Sequence, residues 1–156
     1  MRRTFSEHLL GHLPQMKLLP QSKVTLYKEK HYLSNARTLK YFKRGVLILF
    51  YESLKQGGLG AIVAIARVQH AYLKSQEALE SSDLDPSVFD ATSLKAIGRS
   101  KMKTVTVFDN VMHLPCPVSL NTLRRIGCGS STNLLTTRTI TDDQLQTILS
   151  EGVARE

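Results

Sequence analysis

The sequence predicts an α+β protein built as a small mixed or antiparallel pseudo-barrel of about five strands with short helices. The chain has 156 residues, of which 42% are hydrophobic and 22% charged, a composition typical of one globular domain. Two apolar runs, Gly45–Tyr51 and Ala61–Tyr72, have the length and composition of strands. The stretches between predicted strands are too short or too irregular for repeated βαβ units, which favours a barrel over a parallel sheet.

The first 22 residues are predicted to be an arm rather than part of the domain. Pro14 and Pro20 interrupt any long helix in this stretch, although several leucines make it apolar. The domain is expected over residues 23–152. No internal repeat divides that range further.

The elements of the domain follow from local patterns. Strands are expected where apolar and β-branched residues run together or alternate, at Val24–Lys28, Gly45–Tyr51, Ala61–Tyr72, Lys103–Phe108 and Leu134–Ile140. Short helices are expected where a capping residue or a final glycine bounds a segment, at Asn35–Phe42, Ser93–Ile97, Ser119–Ile126 and Asp142–Ser150. Ser34 is the expected cap of the first helix, and Thr141 opens a capping box with Gln144. Acidic residues between 74 and 91 predict an exposed connector.

The charge distribution favours an anionic partner. The chain carries 21 Lys and Arg against 13 Asp and Glu, a net charge of +8. Nine of the bases lie from Lys17 to Lys55, where six aromatic residues are interleaved with them. Cations bind phosphates and aromatic rings stack on unpaired bases, so the pattern predicts nucleic-acid binding. The alternative is a solvated basic surface around aromatic core residues.

Other site chemistries fit the sequence poorly, and no cofactor or metal is expected. His8 and His12 have helical spacing, but the glutamate and the third ligand of a zinc-protease motif are missing. The glycines of Gly57–Gly60 precede a strand, whereas a P-loop precedes a helix. Cys116 and Cys128 are too few for a disulfide framework and suit a reducing compartment.

A cytoplasmic location without a membrane partner is expected. The longest apolar run is far shorter than the roughly 20 residues of a membrane-spanning helix. The basic N-terminus also lacks the uninterrupted apolar stretch of a signal peptide, because Glu7, His8 and His12 interrupt it.

Two stretches, Gly45–Ser53 and Gly60–Val68, carry a family pattern. An apolar strand ends in Phe-Tyr-Glu-Ser, a glycine-bearing loop follows, and the next strand opens with Gly-Ala-Ile-Val-Ala. Residues 103–127 then place a strand before a proline-containing segment and a short helix. Over roughly residues 23–150 the chain resembles the PUA-like superfamily, which includes the PUA, ASCH and EVE domains and also occurs beside acetyltransferase domains. The resemblance implies a pseudo-barrel that binds RNA or modified bases.

One basic cleft is the expected site. Tyr51 and Ser53 are predicted to line a base pocket at the end of a buried strand. The residues predicted to contact phosphates are Lys40, Lys43, Arg44, Lys55, Arg67, Arg99, Lys101 and Lys103. RNA, or single-stranded or modified DNA, is the expected partner.

Two other functions fit the sequence. An ASCH-type enzyme acting on a nucleoside or nucleic acid would use Lys55 or Lys101 as a base and Asp109 as its partner. The GxKxxExR-like motif of ASCH domains is missing, which disfavours catalysis. The chain also has no tryptophan, which disfavours an aromatic cage for a modified base. A regulatory or protein-interaction domain of a toxin–antitoxin or mobile-element system is the other alternative, with a homodimer formed through the arm at residues 1–22.

Overall fold

The computed structural model describes residues 24–25, 29–54, 57–80, 83 and 100–153. In these residues five strands combine with two α-helices and three short 3₁₀ helices. The strands are β1 (Val24–Thr25), β2 (Lys30–Asn35), β3 (Leu47–Glu52), β4 (Ala61–Ser75) and β5 (Met102–Ser119). The α-helices are α1 (Leu120–Arg125) and α2 (Asp142–Val153), and the 3₁₀ helices are Ala36–Tyr41, Gln76–Ala78 and Asn133–Leu135.

The strands form one antiparallel sheet. β3, β4 and β5 lie side by side, and β1 and β2 both pair with the other edge of β5. Among the described residues the sheet is open, with β3 at one edge. The α+β architecture matches the expectation from the sequence, whereas the described strands do not show the finer feature, a pseudo-barrel.

Irregular pairing bends the two long strands. The register of β4 against β5 shifts at three places, and Asn110 of β5 has a left-handed φ of 51°. The largest shift lies where β4 advances from Ile62 to Ala64 while β5 runs back from Val118 to His113. Bulges of this kind bend a strand and increase its twist, so the sheet is curved.

The sheet separates two clusters of buried side chains. Phe50 and Phe108 belong to one cluster, with ring centroids 5.1 Å apart. Tyr51 belongs to the other, together with Leu123 of α1 and Ile148 of α2. Phe50 and Tyr51 are consecutive yet lie in different clusters, because side chains alternate between the faces of a strand.

The helix signals at the C-terminal end of the chain are confirmed. Ser119 caps α1, since its side chain accepts a hydrogen bond from the backbone N–H of Thr122. At the start of α2, Thr141 and Gln144 exchange side-chain and backbone hydrogen bonds of 3.0 and 3.3 Å, as a capping box requires. Gly152 lies inside α2 rather than after it.

One predicted strand is wrong, and one predicted short helix is present as a 3₁₀ helix with a different cap. Leu134–Ile140 is not a strand: a 3₁₀ turn at Asn133–Leu135 leads into an extended segment that pairs with none of the described strands. The helix expected at Asn35–Phe42 is a 3₁₀ helix, and its cap is Asn35, whose side chain accepts from the N–H of Arg37, rather than Ser34.

Strand lengths also differ from the prediction. β2 was not expected, and β5 continues to Ser119 through Pro115 and Pro117. Both prolines fall in the stretch where β5 bulges against β4, a place where a missing N–H costs no ladder bond. The arm at residues 1–22, the helix at Ser93–Ile97 and most of the acidic connector lie outside the described residues. In the part of the chain that is described, no helix has the length and apolarity needed to cross a membrane.

Candidate nucleic-acid interface

A groove of about 380 Å³ runs along the outer edge of β3. Residues Val46–Tyr51 form one wall, and Leu134–Asp142 form the other. Because neighbouring side chains of a strand point to opposite faces, six consecutive lining residues show that the groove follows the backbone edge. Tyr32, Tyr41, Phe42, Ile62 and Leu145 complete the lining. The volume falls within the range of about 300–1,000 Å³ that is typical of ligand sites.

The turn before β3 positions the basic end of the groove. Gly45 has a φ of 85°, a conformation that glycine adopts without strain. Its N–H donates to the carbonyl of Val68 at 2.8 Å, and the N–H of Val68 donates to the carbonyl of Val46 at 2.9 Å. These bonds attach the start of β3 to β4 and leave Lys43 and Arg44 exposed in the turn.

Lys40 and Tyr41 lie on the approach to this turn. The ammonium of Lys40 lies 4.9 Å from the centroid of the Tyr41 ring, within the range of a cation–π interaction. Tyr41 is half-buried and lines the groove, whereas Lys40 is exposed. Three predicted phosphate contacts, Lys40, Lys43 and Arg44, therefore lie within five residues of one another beside an aromatic ring.

Two arginines that the sequence analysis did not select lie near the same groove. Arg138 lines the wall opposite β3. Burial raises the pKa of the Tyr51 hydroxyl, and the positive charge of Arg124 partly offsets this effect, which places Arg124 near Tyr51. The spacing of both arginines in the sequence carries no signal that would have selected them. Among the described residues lining the groove, Asp142 is the one acid.

Only one of the two residues predicted to form a base pocket lines the groove. Tyr51 lines the groove, although it is 9% exposed and belongs to the core cluster of α1 and α2. Ser53 is buried just after β3, where its carbonyl accepts from the N–H of Gly58 at 3.1 Å. Ser53 is not among the residues that line the groove.

Arg67 is occupied by an internal ion pair. Its Nε and Nη2 donate to the two carboxylate oxygens of Asp109 at 3.1 and 2.9 Å, and Gln69 donates to the same carboxylate. The guanidinium of Arg67 holds the pKa of Asp109 below its ordinary value, although burial opposes the shift. The ion pair uses two of the five guanidinium donors and leaves the Arg67 side chain 45% exposed, so the phosphate contact at Arg67 stays a prediction.

Lys103 and Lys101 do not join the groove either. Lys103 is 0% exposed, and burial lowers the pKa of its ammonium. The predicted contact between Lys103 and a phosphate at the surface is therefore wrong. Lys101 is exposed, but its carbonyl accepts from the N–H of Gln76, beyond the end of β4. Arg67 pairs with Leu47 at the start of β3 and so marks the basic end of the groove on β4. Residue 75, which precedes Gln76, lies roughly 25 Å along β4 from that point, at about 3.3 Å per residue. Lys55 and Arg99 lie outside the described residues.

The structure keeps apart Lys101 and Asp109, the two described residues that the enzyme alternative would use together. Lys101 directly precedes β5 and Asp109 lies within it, and the residues between them include the stretch from Lys103 to Phe108 that pairs with β2 without a register shift. Eight positions of extended chain separate the two backbones by roughly 25 Å. They cannot act as a base and its hydrogen-bonded partner at that distance. Within the described ranges, no group of three or more His, Cys, Asp and Glu side chains is arranged to hold a metal ion.

Comparison with known proteins adds no relative: no family model, curated protein or solved structure matches this chain. The candidate site is therefore inferred from the geometry of the groove along β3 alone.

Proposed function

We propose that the protein is a nucleic-acid-binding module that holds RNA or single-stranded DNA in the groove along β3. The observation that carries the proposal is the combination of a largely apolar, aromatic-lined groove with cations at its end and on its far wall. Those cations are Lys40, Lys43, Arg44 and Arg138. Single strands are bound by the same two features, a positive path for the backbone and rings on which bases stack.

The proposal includes a PUA-like pseudo-barrel that acts in the cytoplasm. The bulges that bend β4 and β5 support a curved sheet of this type, and the strand pattern around Phe50 and Ala64 supports the resemblance. A determination of residues 1–23 and 84–99 in an experimental structure tests it. Strands from these segments that continue the curved sheet beyond β1 and β2 would agree with the proposal, and segments that add no strand to the sheet would contradict it.

The salt dependence follows from the number of cations. Four phosphate contacts give a slope of log K against log salt of about −3 for a single strand. The affinity should therefore fall about 50-fold between 50 and 200 mM salt. Stacking on Tyr41 should add about 1–3 kcal/mol for one base.

Binding of fluorescent single- and double-stranded RNA and DNA, measured by anisotropy at several salt concentrations, tests the function. The double variant Lys43→Ala/Arg44→Ala should weaken binding and reduce the magnitude of the salt slope by about 1.4. Tyr41→Ala should lower affinity about fivefold or more without changing the slope.

Lys101→Ala is the matched control, because it removes an exposed cation that does not line the groove. Its affinity should equal that of the unmodified protein. An equal loss for Lys101→Ala and for single variants at Lys43 and Arg44 would mean that the charge is a diffuse solvated surface. No binding at 50 mM salt would contradict the proposed function outright.

A further inference from the structure

The backbone of β3 faces the groove at defined positions. The bonds between Val68 and the start of β3 make Val46 a hydrogen-bonded position of the ladder. Ile48 is the next such position, because it lies opposite Ala66 and hydrogen-bonded pairs alternate in an antiparallel ladder. The N–H and C=O of Leu47 and Leu49 are consequently directed away from β4, toward the groove.

This outer edge is open among the described residues. β3 pairs with β4 alone, and the facing segment, residues 136–141, forms no backbone hydrogen bonds with β3. Leu47 is 45% exposed, and Leu49 is half-buried against the core cluster of α1 and α2. An unpaired strand edge offers alternating donors and acceptors, which makes it a template for hydrogen bonding.

We infer that this edge is the specificity element of the groove and reads the hydrogen-bonding edges of unpaired bases through the backbone of Leu47 and Leu49. The inference rests on the proposed function. In a duplex the Watson–Crick edges of the bases are already paired, whereas in a single strand the bases can turn into a groove and present them. The substrate class is therefore a single strand, with paired regions excluded.

Charge favours this occupant over an extended peptide. A peptide would also hydrogen bond to a strand edge. However, Lys43 and Arg44 at the groove end and Arg138 on its far wall favour a ligand with regularly spaced negative charges. Tyr41 beside Lys40 adds a ring suited to a base. A nucleic-acid strand supplies both phosphates and bases.

A proline substitution separates the backbone donor from the side chain. Leu47→Pro removes the outward N–H and no ladder bond to β4, and edge strands tolerate proline at such a position. Leu47→Ala removes the side chain but keeps the N–H. Binding of a labelled single strand should be about fivefold weaker for Leu47→Pro than for Leu47→Ala, the effect of one hydrogen bond. The salt slopes of the two variants should agree, because no phosphate contact changes.

A measurement on the unmodified protein covers the case in which Leu47→Pro does not fold. Uridine oligomers and their N3-methyluridine counterparts have the same phosphates and sugars, but methylation blocks the Watson–Crick edge. The methylated oligomer should bind about fivefold more weakly or worse. A duplex of the same length should bind at least about tenfold more weakly than the single strand.

The outcomes separate this inference from the proposed function. Equal binding of the methylated and unmethylated oligomers, or of duplex and single strand, would overturn edge reading while leaving groove binding intact. Displacement of the oligomer by an acidic extended peptide of alternating Glu and Val at similar concentration would also overturn it in favour of peptide pairing. Absence of any nucleic-acid binding at 50 mM salt would remove the proposed function itself.

Discussion

Replacing Asp83 with asparagine should destabilise the protein in a pH-dependent way. Asp83 is 4% exposed, and its carboxylate accepts hydrogen bonds from the Tyr72 hydroxyl and the Lys74 ammonium at 2.6 Å. It also accepts from the backbone N–H of Glu80 at 2.8 Å. Burial alone would raise the pKa of Asp83, but these donors overcome it and lower the pKa from 3.8 to about 2.

The free energy follows from that difference in pKa. At about 1.4 kcal/mol for each pH unit, the ionised Asp83 stabilises the folded state by about 2 kcal/mol. Because the folded-state pKa is depressed, this contribution is complete above about pH 5 and is lost as the pH falls from 3.8 toward 2. About half of it should remain at pH 3.

Urea unfolding of both proteins at pH 7, 4 and 3 measures the effect. At pH 7 the Asp83→Asn variant should unfold at about 1 M less urea. The gap should narrow by about half at pH 3, because the native aspartate becomes protonated. Glu80→Gln is the control: Glu80 lies 3.9 Å from Lys74 but its side chain is 74% exposed, so its loss should cost less than about 0.5 kcal/mol.

Either of two results would refute this reasoning about Asp83. One is equal stability of the native protein and Asp83→Asn at pH 7. The other is a stability gap that stays constant from pH 7 to pH 3, which would mean that the side chain contributes by shape rather than by charge.

Three further substitutions test the packing. Phe108→Ala should lower the unfolding free energy by about 3–5 kcal/mol, because Phe108 is fully buried against Phe50; a loss under about 1 kcal/mol in urea unfolding would contradict the core assignment. Ser119→Ala removes the α1 cap and should cost about 1 kcal/mol, and unchanged stability would show that the cap bond contributes nothing. Gly152→Ala places a methyl group 2.8 Å from Leu114, so thermal unfolding should occur at lower temperature. Pairing this change with Leu114→Ala should make the two losses less than additive, and full additivity would exclude the contact.

Local signals predicted the elements whose causes lie close together in the chain. The apolar run ending at Tyr51 and the alternation from Ala61 correspond to β3 and β4. The capping box of Thr141 and Gln144 involves residues three apart, so its hydrogen bonds do not depend on the rest of the fold. Composition and charge patterning likewise indicated a basic protein with aromatic residues among the cations.

Elements that depend on distant partners were not predictable in this way. Leu134–Ile140 has the composition of a strand, but a strand requires a neighbour, and this segment lies across the groove from β3 without pairing. β2 begins at Lys30, within a polar stretch, and becomes a strand because β5 provides a continuous partner from Lys103 to Phe108.

The sequence by itself determined the α+β class, the basic charge and the caps of α1 and α2, because each depends on composition or on residues a few positions apart. Only the tertiary structure decided which cations share a surface. Lys101 and Lys103 are two positions apart, yet one is exposed and the other is covered completely. Arg67 meets Asp109 from a neighbouring strand, and Arg138 faces β3 across a groove that two distant segments create. Burial and pairing depend on contacts between residues far apart in the chain, which spacing along one strand does not encode.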